Sequence, residues 1–348
     1  MNNYYAETAY RPDTIPEQPV PERRSWLRRF STARLPWGQT QELYPVSTLQ
    51  QRTPSSLRAS EKAERELATG QRQVEAFEEH DYHGIVNHER IRYAPLSKKT
   101  TFWLYLWGGG RFVFYCGLGC ALFVFIVRLM IDTHNTFAEN FESFLPTLFV
   151  FTVPAITCWA IGSFVVHKLP NWFMRPSKGP RWELNRRTGM VTLFDYDNMG
   201  KYKSEGLIGE FVYAFHEFDA YVGSGPTRQG HMFYQLYMAH RYRNHVIDLD
   251  VFVPRDSEPE PHYAGWDFVQ NYMDTSRPLP DIPLFEPHRE QDPVTAEYDR
   301  HNGRDPRYWR DMDDTTWDAK LAEMRLRVHE INTRERFNEM AAFVEYVD

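Results

Sequence analysis

Four histidines within 30 residues, His216, His231, His240 and His245, are the densest grouping of side chains that could do chemistry in this 348-residue chain. A metal site needs ligands whose spacing brings them to one point, as a helical histidine pair does. These four fall at the ends of different predicted strands, with no carboxylate at a recognised ligand spacing. Surface or half-buried histidines are therefore expected in place of a metal set. Asp248 and Asp250 share one face of the run VIDLDVFV. A carboxylate pair can do acid–base work, and the same alternation fits a solvent-facing strand edge. Ser224 stands between Gly223 and Gly225, but Pro226 and polar neighbours predict a loop, not the strand-to-helix elbow of a nucleophilic serine. HExxH, the phosphate-loop pattern, GxSxG and CxxC do not occur. The expectation is a binding protein without catalytic residues, metal or cofactor.

Composition narrows the class further. Lys plus Arg is 40 and Asp plus Glu is 47, a net charge of −7, which weighs against a nucleic-acid partner. Three cysteines rule out a disulfide-built scaffold. The apolar residues are concentrated between about residues 102 and 167.

Two uncharged runs stand out there. FVFYCGLGCALFVFIV, residues 112 to 127, extends to Ile131 and is bounded by Arg111 and Arg128. SFLPTLFVFTVPAITCWAIGSFVV covers 143 to 166, with prolines at 146 and 154 that membrane spans tolerate. Roughly 20 residues suffice to cross ~30 Å of hydrocarbon, so both runs predict transmembrane helices; a buried hairpin is the alternative. The first 30 residues contain no apolar run, so the chain is expected to start in the cytoplasm. The connecting stretch 132 to 142 carries three acids and no Lys or Arg. Lys98, Lys99 and Arg111 precede the pair, while Lys168, Arg175, Lys178 and Arg181 follow it. The positive-inside rule then leaves both termini in the cytoplasm.

Trp103, Trp107, Trp159 and Trp172 fit the interfacial ends of the spans, and Arg111 and Lys168 flank them. Arg128 lies about one turn from the outer boundary, where it can snorkel, with Asp132 as a natural partner. The anchoring residues expected are thus Trp103, Trp107, Arg111, Arg128, Lys168 and Trp172. Gly108, Gly109, Gly110, Gly117 and Gly119 either let the second span approach closely or loosen the entry turn. Cys116, Cys120 and Cys158 all lie within the spans and act as small apolar groups.

Residues 1 to about 55 are rich in Pro, Gln, Arg and Ser and predict a mostly disordered arm. In it, Arg24, Arg28 and Arg29 beside Trp26, Leu27 and Phe30 could touch anionic lipid. A helix follows over about 56 to 79, with a thin stripe through Ala59, Ala63, Leu67, Val74 and Phe77. After the spans, RWELNRRTGMVTLF, residues 181 to 194, predicts a hairpin around a Thr-Gly turn. Strands are expected at 209–215, 218–222, 232–239 and 246–253, and a helix over 263–273 ended by Pro278. Arg277 to Thr316 predicts a surface loop, and Thr316 to Tyr346 an amphipathic helix that docks on the sheet domain or pairs with another helix. The layout has four parts: a cytoplasmic arm over 1–97, partly disordered with one helix; a transmembrane helical hairpin over 98–170; a β-rich domain over 180–277; and a charged loop with a terminal helix over 278–348. The fold class expected is a membrane protein with a cytoplasmic α+β domain, an antiparallel sheet closed by a helix.

The runs Trp182-Glu183-Leu184-Asn185-Arg186-Arg187-Thr188-Gly189 and Trp266-Asp267-Phe268-Val269-Gln270-Asn271-Tyr272-Met273 resemble the opening hairpin and the aromatic helix of an uncharacterised bacterial family of two-span inner-membrane proteins. The resemblance covers about residues 100 to 277. It implies an inner-membrane location and a gene setting among type VI secretion components and their toxins. Strands closed by a helix also describe a pleckstrin-homology-like barrel, with Trp266 and Phe268 plugging its open end. Such a barrel would need a basic pocket for a lipid headgroup, and Arg186, Arg187, Lys201 and Lys203 are the candidates for lipid or partner contact. Two functions are expected from this. The first is an immunity or accessory protein of a type VI toxin, acting by binding, with inner-membrane lipid and a toxin or secretion component as partners. The second is a membrane-anchored scaffold or signalling module whose β domain binds a protein or a lipid headgroup.

Overall fold

The computed structural model describes residues 3–21, 31–75, 77–131, 136–204, 209–227, 229–333 and 335–346. The chain divides into two units, one made of residues 1–73, 84–93 and 180–348, the other of 74–83 and 94–179.

The larger unit is built on two antiparallel sheets. The first has the order β2 (Ile85–Val86), β3 (Arg90–Tyr93), β4 (Trp182–Asn185), β5 (Met190–Phe194) and β6 (Glu210–Ala214). The second has β1 (Ser31–Arg34), β7 (Phe218–Pro226), β8 (Met232–His240) and β9 (Val246–Asp248). The predicted Thr-Gly hairpin is there, with Asn185 opposite Met190 and Trp182 opposite Leu193. Gly189 takes φ +67°, and a Cβ at this position would lie 2.5 Å from both Thr8 O and Tyr10 N. Glycine is thus required both by the turn and by the amino-terminal segment lying against it. β9 stops at Asp248 because Leu249, Phe252 and Val253 turn inward and bury their side chains, so the expected strand over 246–253 is cut short. β7 runs on to Pro226, which places Ser224 in a strand, not in the loop expected.

Helix α7 (Glu260–Met273) is buried from His262 to Met273 on every side. A helix enclosed all round must satisfy its polar side chains internally. Gly38 N donates to Gln270 Oε1 at 2.9 Å, Gln41 N to Asp267 Oδ2 at 3.1 Å, and Thr40 Oγ1 to Asn271 Oδ1 at 2.6 Å. The amino-terminal segment is therefore bound along α7, and the expectation of a disordered arm over 1–55 is corrected for the described residues. Tyr10, Leu35, Trp37, Leu43, Tyr44 and Leu49 all enter the core. Trp37 packs edge-on against Trp266 at 4.9 Å and Phe215 at 5.0 Å.

The carboxyl-terminal segment is likewise part of this core. Leu279, Ile282 and Phe285 are buried, followed by α8 (Pro293–Asn302) and α9 (Asp314–His329). Pro and charge signal a loop only when no apolar anchor intervenes, and here Trp309, Met312, Trp317 and Val328 supply anchors. α9 ends at His329 and not near Tyr346, but it docks as expected through Trp317 and Val328. Earlier in the chain, α1 (Val46–Gln50) precedes α2 (Pro54–Ala68), which starts at a Thr53–Ser56 capping box. α2 stops well short of the expected residue 79, at a turn where Gly70 takes φ +70°. The body is therefore a mixed helix and antiparallel-sheet fold that takes in segments from both sides of the predicted 180–277 domain.

The smaller unit is a helical hairpin, α3 (Lys98–Ile131) and α4 (Phe137–Lys168), followed by α5 (Pro170–Phe173). The two helices are long and apolar enough to cross a membrane. A Cβ at Gly110 would lie 2.7 Å from Trp159 N, and one at Gly162 would lie 2.6 Å from Trp107 N, so these glycines set the helix spacing. Of the other expected glycines, Gly108, Gly109 and Gly119 face nothing within 4 Å. At the far end Phe125 stacks on Phe144 at 4.8 Å.

Candidate functional site

The aromatic end of the hairpin assembles most of the expected anchoring residues. Lys99 Nζ lies 3.5 Å from the ring centre of Trp172 and donates to Trp172 O at 2.9 Å. Trp103 packs on Trp172 at 5.6 Å, and Trp107 meets His167 edge-on at 5.8 Å, one residue before exposed Lys168. Thr100 Oγ1 ties the ends together, donating to Phe173 O at 2.8 Å and accepting from Arg175 N at 3.0 Å. Arg111 is not with them. It lies thirteen residues beyond Lys98 within α3, exposed and 5.9 Å from the Tyr115 ring. Arg128 is near the other end of α3. Asp132, expected beside it, lies outside the described residues, as do Arg24, Trp26, Leu27, Arg28, Arg29 and Phe30. The cysteines are free, with Cys116 and Cys120 exposed on α3.

The basic positions on the larger unit do not form one patch. Arg186 is 0 % exposed. Its guanidinium donates to the carbonyls of Tyr272, Asp274 (2.8 Å) and Arg277 (2.7 Å) and pairs with buried Asp292 at 3.4 Å. A side chain so engaged cannot reach a lipid or a partner, which corrects that expectation. Arg187 is half exposed but already holds Tyr4 O at 2.8 Å and Glu89 at 3.2 Å. Lys201 and Lys203 lie exposed on α6 (Met199–Ser204).

The histidines that opened the sequence reading are spread through the fold. His240 is buried: its Nδ1 accepts from Tyr242 N and Arg243 N, both at 3.0 Å, and its Nε2 meets Glu217 at 3.1 Å. Burial, and the Arg241 charge after it, push the His216 pKa down. His245 packs on Phe211 at 4.9 Å, and His231 is exposed. Asp248 and Asp250 do form a pair, with Asp250 N donating to Asp248 Oδ1 at 2.8 Å. Gln235 Nε2 donates to Asp248 at 2.5 Å and Arg255 pairs with Asp250 at 3.3 Å. Burial first, and then the neighbouring Asp248, push the Asp250 pKa up to about 6.

Comparison with protein-family models, with curated proteins and with solved structures finds no significant match to this chain.

One cluster was not anticipated. Glu258, Glu260 and His329 have ligand atoms that all lie within 4.8 Å of one another, the group of metal-binding type found among the described residues. They open on a cavity of about 500 Å³ whose walls include Ser47, Gln50, Asp256 and Leu326. The fold fixes the two glutamates from three sides. Ser47 Oγ and Thr48 Oγ1 donate to Phe252 O at 2.7 and 3.1 Å, Tyr234 N donates to Asp256 O at 2.7 Å, and Gly265 lets Val253 sit where a Cβ would be. The only local signal was the alternation Glu258-Pro259-Glu260-Pro261, and His329 lies about 70 residues further on.

Proposed function

We propose that this chain is a two-span inner-membrane protein, with both termini cytoplasmic, whose α+β body acts by stoichiometric binding as an immunity or accessory protein of a type VI toxin. The observation that carries the membrane part is the direction of the apolar side chains on the hairpin. Only 11 % and 18 % of the most apolar stretches of α3 and α4 are buried. Phe112, Phe123, Met130 and Val150 are each more than 65 % exposed. Water would penalise that surface by roughly 25 cal/mol per Å², whereas hydrocarbon would not.

The charges support a position for the bilayer. Arg111 and Arg128 are 17 residues apart, about 26 Å of helix, close to the ~30 Å hydrocarbon thickness. Trp103, Trp107 and Trp172 then stand in the cytoplasmic headgroup region with Lys99 and Lys168. Glu139 and Glu142 stand beyond the opposite face, in line with the positive-inside rule. The helices, about 51 and 48 Å long at 1.5 Å per residue, are long enough for both layers.

The binding part rests on the resemblance of the 182–189 and 266–273 runs. The order of elements also supports the finer, pleckstrin-homology-like reading: β4, β5 and β6 in one sheet, β7, β8 and β9 in a second, then α7. Tethering such a body at the bilayer raises its effective concentration beside a membrane-acting toxin. The test is survival of a sensitive host expressing the toxin encoded next to this gene, with and without this protein. Rescue is expected. No change in survival with the toxin directed to either the cytoplasm or the periplasm contradicts the immunity role.

A further inference from the structure

The carboxylates of the larger unit have a consistent habit. Asp219 pairs with Arg241, Asp267 with Arg336, Asp292 with Arg186, Asp299 with Arg289, and Glu61 with Arg307. Glu258 and Glu260 depart from it. Among the described residues neither side chain takes a hydrogen bond or an ion pair, and both converge on the His329 ring. Arg255 and Arg325 line the same cavity, yet Arg255 is held by Asp250 at 3.3 Å and neither is within ion-pair distance of the glutamates. Two carboxylates brought together on a braced loop repel each other, and an imidazole with a free nitrogen beside them does not neutralise that charge. A cation would.

We propose that Glu258, Glu260 and His329 bind a divalent first-row transition ion, Zn²⁺ in the first instance, which clamps the end of α9 to the entry of α7. The imidazole selects against Mg²⁺ and Ca²⁺, which take oxygen ligands, and two carboxylates with one imidazole suit Zn²⁺. Metal–ligand bonds of about 2.0–2.2 Å hold ligand atoms no more than about 4.4 Å apart. The present spread therefore closes by small rotations of Glu258 and His329, both exposed and free to make them. His329 is the last residue of α9, where the helix dipole favours positive charge. Val328, 4 % exposed, anchors that end so that the ring is carried to the site. Three protein ligands leave positions for water or for a side chain of a partner.

This inference is independent of the membrane and toxin readings. Its test uses the untagged full-length chain in detergent micelles, stripped with EDTA and titrated with Zn²⁺ against a chromophoric chelator. One Zn²⁺ per chain is expected. His329→Gln and Glu260→Gln should each weaken binding at least tenfold, while His301→Gln, an exposed histidine on α8, should leave it unchanged. Millimolar Mg²⁺ should not compete. Since Glu258 and His329 are exposed, circular dichroism of the variants should match the native chain. X-ray absorption of the loaded native chain should show one imidazole nitrogen among oxygen donors. Equal affinity in native and His329→Gln chains, or a shell with several imidazoles or any sulfur, overturns the assignment.

Discussion

Arg186 shows how one side chain can staple a fold. It leaves the β4–β5 turn fully buried and meets carbonyls of the chain just after α7 together with Asp292 at the start of α8. Removing one member of a buried ion pair leaves the other charged and unpaired, at a cost of about 3–5 kcal/mol. Arg186→Met should therefore lower the melting temperature by roughly 10 °C or more, or abolish folding, while Arg187→Met should have little effect. Equal melting of the Arg186 variant and the native chain would remove this residue from the account. Asp250 offers a pH test with the opposite sense. Its folded pKa, pushed up to about 6, lies above the ordinary aspartate value. The folded state therefore holds the proton more tightly than the unfolded chain does, and the ionised form is a net penalty. That penalty is complete above pH 6 and fades as pH falls towards 4. Asp250→Asn should raise stability by about 1 kcal/mol at pH 7.5, a figure reduced for solvent screening of a partly exposed group. At pH 4.5 the gain should be largely lost. A gain that grows on acidification would reverse the argument.

Elements were legible in proportion to how local their cause is. The 182–194 hairpin, the strands before residue 245 and α7 follow from alternation, a Thr-Gly turn and helical spacing, all read within a dozen residues. The segment over 35–44 was not legible, because it has no periodicity of its own. Its order comes from Asp267, Gln270 and Asn271, more than 200 residues away. The same distance hid the Glu258–Glu260–His329 cluster and the burial of Arg186, whose sequence neighbours Arg187 and Asn185 mark an exposed turn. In the hairpin, the expected glycine face proved half right. Gly110 carries close approach together with Gly162, which the sequence reading did not single out. Gly110→Leu should force the helices apart at Trp159, at a cost of about 1–3 kcal/mol. Gly109→Leu, with nothing within 4 Å, should be tolerated. Thermal melts of the two variants in the same detergent would separate them, and equal behaviour would show that the close approach does not matter.

At the scale of the whole molecule, the hairpin is an insertion between two neighbouring strands. β3 pairs with β4, Tyr93 lies opposite Trp182, and Arg181 N donates to Tyr93 O at 2.8 Å, so the sheet closes across the points where the chain leaves and returns. An insertion bounded in this way can change its surroundings without breaking the sheet, which suits a body in water and a hairpin in lipid. The most direct measurement is alkaline carbonate extraction of membranes from cells expressing the full-length chain, followed by ultracentrifugation. The account predicts that the protein stays in the membrane pellet and is released only by detergent. Release of the chain into the carbonate supernatant would contradict it.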